Sequence, residues 1–129
     1  MADNETRVLP VKGKLFDTPD VRCYWCQLSN EWYYSIMDVI SLLTKSSNPQ
    51  REIEQLKSNA PFLRRTWKDM VKYYVVPNKD GQKHRIAMMC TSNILRVIIG
   101  LRTPQADPYK MWLCIAAYDQ YNFEETGED

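Results

Sequence analysis

Glycine and histidine are scarce in this sequence, and their scarcity argues against several common kinds of catalytic site. The 129 residues include four glycines and one histidine. The phosphate-binding loops of nucleotide-using enzymes need closely spaced glycines, and these four are not grouped in that way. His84 lies just after a turn, between two basic residues, and Cys90 has no histidine at a telling spacing. No group of acids has the spacing of metal ligands, so we predict that the chain is not an enzyme.

Long apolar runs are also absent. No stretch approaches the roughly 20 apolar residues that a membrane-spanning helix requires. The first residues, Met1-Ala-Asp-Asn-Glu-Thr, lack the basic and apolar regions of a signal peptide. We therefore expect a cytoplasmic protein with no membrane partner, whose four cysteines stay reduced. An apolar content of 44% over this length suits one small domain with a single core.

Two of the cysteines are closely spaced. Cys23 and Cys26 form a C-x-x-C pair, which can be half of a zinc site or a redox centre. Residues 21–27 have the pattern of a strand, in which positions three apart point to opposite faces, so the pair does not converge on one ion. The other cysteines and the histidine add no second paired spacing. Structural thiols are the favoured interpretation, and we expect neither a metal nor another cofactor.

Hairpin and helix patterns alternate along the chain and indicate an α+β fold. The aromatic-rich residues 21–27 and 31–35 predict one β-hairpin. Residues 73–76 and 84–89 predict a second hairpin, across a turn at Asp80-Gly81. Helical patterns occupy the segments between and after the hairpins. We predict two β-hairpins packed with four or five short helices in a single compact domain.

Short polar residues mark where helices begin. Ser35 followed by Asp38 resembles a capping box with aspartate in place of glutamate. Asn48-Pro49 and Asp107-Pro108 repeat a second signal, because the first side chain can accept from free N–H groups and proline suits the first turn. We therefore predict helices that start at these three places.

Apolar spacing predicts how the helices end and which faces they bury. Gly100 is expected to terminate the helix that precedes it, as a C′ residue. Pro61 interrupts the pattern of its segment, in which we expect Phe62, Leu63 and Trp67 to pack on the core. The last helix is predicted to bury one face, formed by Tyr109, Trp112, Leu113, Ala116 and Tyr118.

Three blocks of the sequence resemble a known family. They are Glu31-Trp-Tyr-Tyr-Ser-Ile-Met-Asp-Val-Ile40, Asn78-Lys-Asp-Gly-Gln-Lys83, and Ile94-Leu-Arg-Val-Ile-Ile followed by Pro104-Gln-Ala-Asp-Pro-Tyr-Lys-Met-Trp-Leu113. In order and spacing they look like the N-terminal domain of the BRO family, which occurs in phage and prophage antirepressor-like proteins and in baculovirus repeated-ORF proteins. The resemblance covers nearly the whole chain and implies a DNA-binding module of a mobile element, without a metal.

Composition and the resemblance together suggest domain limits. The mixed composition of residues 1–20 predicts a flexible N-terminal arm or an edge addition, and we expect a BRO-N-like domain in residues 21–122 and an acidic tail in residues 123–129. Proteins of this family often carry a second, variable domain after the first. The chain is therefore expected to be either a stand-alone small protein or a piece of a longer one.

Charge is unevenly distributed along the chain. Residues 45–85 carry ten basic and four acidic side chains, a net charge of +6, whereas the remaining residues have a net charge of −5. Basic side chains gathered on one surface contact DNA phosphates and release counterions. The candidate nucleic-acid-binding residues are Arg51, Lys57, Arg64, Arg65, Lys68, Lys72, Lys79, Lys83 and Arg85.

Two functions of different classes remain open from the sequence. The first is a DNA-binding regulatory module, in which aromatic pairs such as Tyr73-Tyr74 could add stacking platforms for bases. The second is a protein-binding regulator that captures a repressor or a host defence factor and does not need DNA. The apolar segment Ile86-Ala-Met-Met-Cys90 is either extra core or a contact surface for a partner or a second copy of the chain.

Overall fold

Two β-hairpins join edge to edge in the computed structural model, which describes residues 14–78 and 80–126. The first hairpin consists of β1 (Cys23–Cys26) and β2 (Glu31–Ser35), and the second of β3 (Lys72–Pro77) and β4 (Lys83–Cys90). Strand β2 pairs with β4, so the described sheet has the antiparallel order β1-β2-β4-β3. Both hairpins predicted from the sequence are confirmed.

Five helices accompany the sheet within the described residues. Helices α1 (Ile36–Thr44), α2 (Pro49–Asn59) and α3 (Pro61–Met70) lie between the two hairpins in the chain. Helix α4 (Thr91–Gly100) follows β4, and a short 3-10 turn (Pro104–Ala106) leads into α5 (Asp107–Thr126). The predicted α+β class is therefore confirmed. No helix of the described part is both long enough and apolar enough to cross a membrane.

The start of α1 contains half of the expected capping box. The Ser35 hydroxyl accepts a hydrogen bond from the Asp38 backbone N–H at 3.2 Å, as predicted. The Asp38 carboxylate does not return the bond. It accepts instead from the backbone N–H, Nε and Nη2 of Arg22 at 3.0, 2.7 and 2.9 Å. Arg22 Nη1 also donates to Asn78 at 2.7 Å, so this ion pair ties the approach to β1 to α1 and to the end of β3.

Helices α2 and α3 follow each other with one residue between them. Asn48 caps α2, since its side-chain oxygen accepts from the Arg51 backbone N–H at 3.2 Å. Pro61 was expected to interrupt a helical pattern but instead occupies the first turn of α3, where no N–H partner is needed. Ala60 alone separates the two helices, so α3 begins directly where α2 ends.

Gly100 does not end α4 in the way the sequence suggested. It is the last residue of the helix, and the capping residue that follows, Leu101, has extended dihedral angles. A Cβ atom on Gly100 would lie 3.0 Å from Leu56 Cδ1 and 3.2 Å from Leu63 Cδ1. Glycine therefore suits the close packing of α4 on α2 and α3, where a Cβ atom would crowd two leucine side chains, and it does not form a left-handed turn.

The predicted cap of α5 is also wrong. Asp107 has helical dihedral angles, φ −59° and ψ −41°, because the chain enters α5 already wound from the 3-10 turn. The predicted buried face is wrong as well: Trp112 is 55% and Tyr118 64% exposed. Tyr109 and Leu113 pack against the core and are partly buried, but the helix beyond them carries apolar side chains in solvent. The spacing of apolar residues along α5 predicted where the apolar side chains lie on the helix, but it did not predict whether other elements cover them.

Two apolar clusters lie on opposite faces of the sheet. The larger one packs Tyr34 and Met89 of the sheet against the inner faces of the helices. The smaller one contains Tyr33, Val76, Met88 and Cys90. Alternate residues of a strand point to opposite faces, which explains how neighbouring residues such as Tyr33 and Tyr34 enter different clusters. The segment Ile86-Ala-Met-Met-Cys90, for which two roles were open, is therefore part of the core.

The sheet is strongly curled. Strands β1 and β3 stand at opposite ends of the described strand order, yet the rings of Tyr24 and Tyr74 stack with centroids 4.3 Å apart. Tyr33 meets the same Tyr74 ring edge-on at 5.0 Å. The smaller cluster consequently fills the inside of the curl.

Residues just before β1 pack on the domain. Phe16 and Val21 are buried in the larger cluster, and the Leu15 backbone N–H donates to the Tyr34 hydroxyl at 2.9 Å. The rest of the arm that was expected in residues 1–20, from position 1 to position 13, lies outside the described residues. At the other end α5 continues to Thr126, into the segment expected to form the acidic tail, whose last three residues lie outside the described part.

Candidate nucleic-acid interface

Helix α3 presents three of the candidate basic residues on one side. Leu63 and Met70 are buried, so the opposite side of the helix faces solvent. Residues three and four positions apart are neighbours on a helix surface, which brings Lys68 next to both Arg64 and Arg65. All three side chains are exposed. The structure thus gathers these three cations on the outward side of α3.

A groove of about 430 Å³ runs between α2, α3 and the second hairpin. Its lining includes the aromatic rings of Trp67 and Tyr73, the cations Lys57 and Lys68, and the amide of Gln50. Lys68 therefore belongs both to the outward side of α3 and to the rim of this groove. Trp67 packs against the core, as expected, while one part of it remains open to the groove.

Cations lie over both aromatic rings of the groove. Lys57 Nζ is 5.3 Å from the centroid of the Trp67 ring, and Arg85 Cζ is 4.5 Å from that of Tyr73. Such contacts are worth about 0.5–1 kcal/mol at exposed sites, enough to favour one orientation of a long side chain. The two cations are therefore held beside the groove. Lys57 Nζ also lies 3.6 Å from Glu54 Oε2, and this ion pair offsets part of the charge of Lys57.

The second hairpin adds basic residues on the same face of the sheet as Tyr73. Arg85 pairs with Val75 and Lys83 pairs with Pro77. Val75 and Pro77 are two and four positions after Tyr73 in β3, so these side chains belong to the same face of the sheet as Tyr73. Lys83 and Arg85 are both exposed. These two cations of the hairpin therefore join the cations of α2 and α3 as members of the candidate interface.

Other candidate residues are not brought to this surface. Lys72 is one position before Tyr73 in β3 and pairs with Met88, so it belongs to the opposite face of the sheet. Arg51 is exposed in the first turn of α2, beside Gln50 of the groove. Lys79 lies outside the described residues. We define the basic surface as Lys57, Arg64, Arg65, Lys68, Lys83 and Arg85.

Phe62 and Arg96 form a contact that the sequence did not suggest. Phe62 was expected to pack on the core but is 53% exposed, so this prediction is wrong. Arg96 of α4 lies over its ring, with Cζ 5.9 Å from the centroid. Charge clustering in residues 45–85 could not find Arg96, because it reaches α3 only through the packing of α4. Arg96 thus adds a cation beside α3.

The cysteines do not come together as a site. Cys23 packs against the larger cluster and Cys26 against the smaller one, which confirms that the pair points to opposite faces. All four cysteines are free thiols. Among the described residues, no three histidine, cysteine or acidic side chains are grouped so as to hold a metal ion.

No protein-family model, no curated protein and no solved structure matches this chain.

Proposed function

We propose that this chain is a DNA-binding regulatory domain of the BRO-N type, from a phage or another mobile element, that works in the cytoplasm. The observation that carries the proposal is the basic surface, whose six cations come from α2, α3 and the second hairpin: Lys57 and Lys68 line one groove, and Arg85 lies over the Tyr73 ring of that groove. The sequence blocks that resemble BRO N-terminal domains support the same function. Free thiols at all four cysteines are in keeping with a reducing compartment.

The order of the elements also supports DNA binding. Helix α3 follows α2 after one residue and leads directly into the hairpin of β3 and β4. An exposed helix is the element that fits the major groove of B-DNA, which is about 12 Å wide. In this proposal α3 enters the groove with Arg64, Arg65 and Lys68, while Lys83 and Arg85 of the hairpin contact the adjacent phosphates.

Phosphate contacts dominate this mode of binding. Each phosphate that a lysine or arginine neutralises releases about 0.9 counterion from B-DNA, so affinity falls steeply with salt. Six contacts would weaken binding roughly 10³-fold between about 50 and about 200 mM salt. An interface formed by apolar side chains lacks this dependence. Salt response therefore separates DNA binding from the alternative of a protein-binding regulator.

The test is the double variant Arg64→Glu with Arg65→Glu. Fluorescence anisotropy with labelled DNA at several salt concentrations is expected to show at least a roughly tenfold loss of affinity and a salt slope smaller by about 2. Both side chains are exposed, so the melting temperature is expected to stay within a few degrees of that of the unchanged protein.

The matched control is Lys72→Glu with Arg102→Glu, which changes the charge equally at two exposed positions away from the basic surface. This control is expected to lose much less affinity than the α3 variant. Equal losses in the two variants would mean that net charge alone governs binding and that α3 has no special role. Absence of binding by the unchanged protein at low salt would rule out the proposed function.

A further inference from the structure

The first half of α5 carries an exposed apolar surface. Met111, Trp112, Ile115 and Tyr118 are each more than half exposed, although all four are large and apolar or aromatic. Their spacing of one, three and three positions places them along one side of the helix. Residues 111–118 include no charged side chain. A contiguous apolar surface of this kind marks a place where another molecule binds.

An apolar groove adjoins this surface. It has a volume of about 370 Å³ and lies between α5, the end of α4 and the segment before β1, lined by Phe16, Ile98, Tyr109 and Trp112 among others. Trp112 thus forms one wall of the groove and also projects from α5. The projecting apolar side chains of α5 and the apolar groove beside them can each contact the other feature on a second copy. Such a surface is self-complementary, which is the property a two-fold symmetric interface requires.

We propose that two copies of this chain associate through residues 111–118 of α5, with the two helices antiparallel. A 20-residue helix is about 30 Å long, enough for an extended helix–helix contact. Two-fold pairing about the middle of the apolar segment sets Met111 of one copy opposite Tyr118 of the other. Cys114 and Ile115 then lie next to the symmetry axis.

Charge favours this orientation and this partner. Lys110 lies in the first turn of α5, three positions after Asp107, whereas the sequence after Tyr118 has three acids, at positions 119, 124 and 125, and no base. Acids at the C-terminal end of a helix are unfavourable because the helix dipole is negative there. An antiparallel copy brings the positive end of its helix dipole and its Lys110 to that end. A parallel copy would place like charges side by side.

The area available is sufficient for a weak or moderate dimer. Side chains of this size, more than half exposed, offer roughly 100–150 Å² each, so four from each copy bury on the order of 1,000 Å² in total. This value lies near the lower limit for specific interfaces. We therefore expect an equilibrium between monomer and dimer that depends on protein concentration.

Sedimentation of the unchanged protein from low to high micromolar concentration is expected to show the mass rising from 15.2 kDa towards twice that value. Ile115→Lys is expected to raise the dissociation constant at least about 100-fold, because each dimer contains the substitution twice at its centre. The matched control is Leu28→Lys, a fully exposed leucine in the turn between β1 and β2, which is expected to change nothing. Both positions are exposed, so folding is preserved in each variant.

The orientation is tested by cross-linking with a short bis-maleimide. The unchanged protein is expected to give a Cys114–Cys114 link between copies. In a Cys114→Ser background, Met111→Cys and Tyr118→Cys variants are expected to link to each other when mixed, much more than either links to itself. Links within each variant alone would indicate parallel helices and overturn the antiparallel arrangement.

A protein that stays monomeric at every concentration would overturn the inference and leave this surface to a different protein. Equal self-association of the Ile115→Lys and Leu28→Lys variants would overturn it as well. Neither result touches the proposed DNA binding, which depends on a different surface. DNA binding by Ile115→Lys, measured by anisotropy, separates the failure of one proposal from the failure of the other.

Discussion

The two cysteines of the C-x-x-C pair have different chemical environments although three positions separate them. Burial against the larger cluster raises the pKa of the Cys23 thiol above its ordinary value. Hydrogen bonds from the side chain and the backbone N–H of Ser29 lower the pKa of the Cys26 thiol. Strand alternation puts one thiol on each face of the sheet, so that only Cys23 is buried against the larger cluster, while Cys26 lies within reach of Ser29 in the turn.

Alkylation should therefore distinguish the two thiols. The thiolate is the nucleophile, so a lowered pKa increases the reactive fraction below the ordinary thiol value of 9.0 and a raised pKa decreases it. We expect the rate for Cys26 to rise at lower pH than the rate for Cys23 when iodoacetamide labelling is followed by peptide mass spectrometry. Ser29→Ala should move the Cys26 profile to higher pH and leave Cys23 unchanged. Coincident profiles for both thiols would contradict the assignment.

Single residues show where sequence reasoning reaches its limit. The opposite orientation of Cys23 and Cys26 followed from the period of a strand, which is a local property. The partner of Asp38 did not, because Arg22 reaches it from a different segment. Gly100 was assigned the wrong role for the same reason: the two leucine side chains that a Cβ atom would crowd belong to other helices. Local geometry was predictable from the sequence, whereas contacts between segments were not.

Among the helices, α2 and α5 carry the same start signal and use it differently. Asn48-Pro49 and Asp107-Pro108 both read as a cap followed by proline. Asn48 accepts from the backbone N–H of Arg51, whereas Asp107 already has helical dihedral angles after the 3-10 turn. The turn before α5 winds the chain into the helix, so a capping side chain is not needed there.

This difference predicts unequal effects of two similar substitutions. Asn48→Ala removes a capping hydrogen bond and is expected to lower the free energy of unfolding by about 1 kcal/mol. Asp107→Ala removes no cap and is expected to change it by less than about 0.5 kcal/mol. Urea denaturation of both variants measures the two values. A loss for Asp107→Ala as large as that for Asn48→Ala would show that Asp107 stabilises the start of α5 after all.

The basic surface was predictable in part at the scale of elements. Arg64, Arg65 and Lys68 were candidates because of charge clustering, and the helical spacing of α3 places them on one side of that helix. Lys72 was grouped with them but faces the other side of the sheet, because the chain leaves α3 and becomes a strand before that residue. Arg85 joins the surface through the hairpin register, which the turn sequence did not specify.

For the whole molecule, the α+β class followed from the sequence but the curl of the sheet did not. Alternation predicts two faces for each strand, and it does not tell how far the sheet bends. Tyr24 and Tyr74 are fifty positions apart in the chain, and the stacking of their rings joins the first hairpin to the last strand of the sheet order. Long-range contacts of this kind determine which face of the sheet is enclosed by the curl.

The contribution of this stacking to stability can be measured with a double-mutant cycle. Tyr24→Ala and Tyr74→Ala each remove one ring, and we expect a coupling of about 1 kcal/mol in the free energy of unfolding, the value typical of aromatic pairs. Tyr24→Ala with Tyr73→Ala is the control, because Tyr73 belongs to the other face of β3 and its coupling should stay below about 0.5 kcal/mol. If the Tyr24–Tyr74 cycle gave no more coupling than the control, the curl would be maintained by the strands themselves. A clear excess means instead that the two rings hold the curl closed over the smaller cluster.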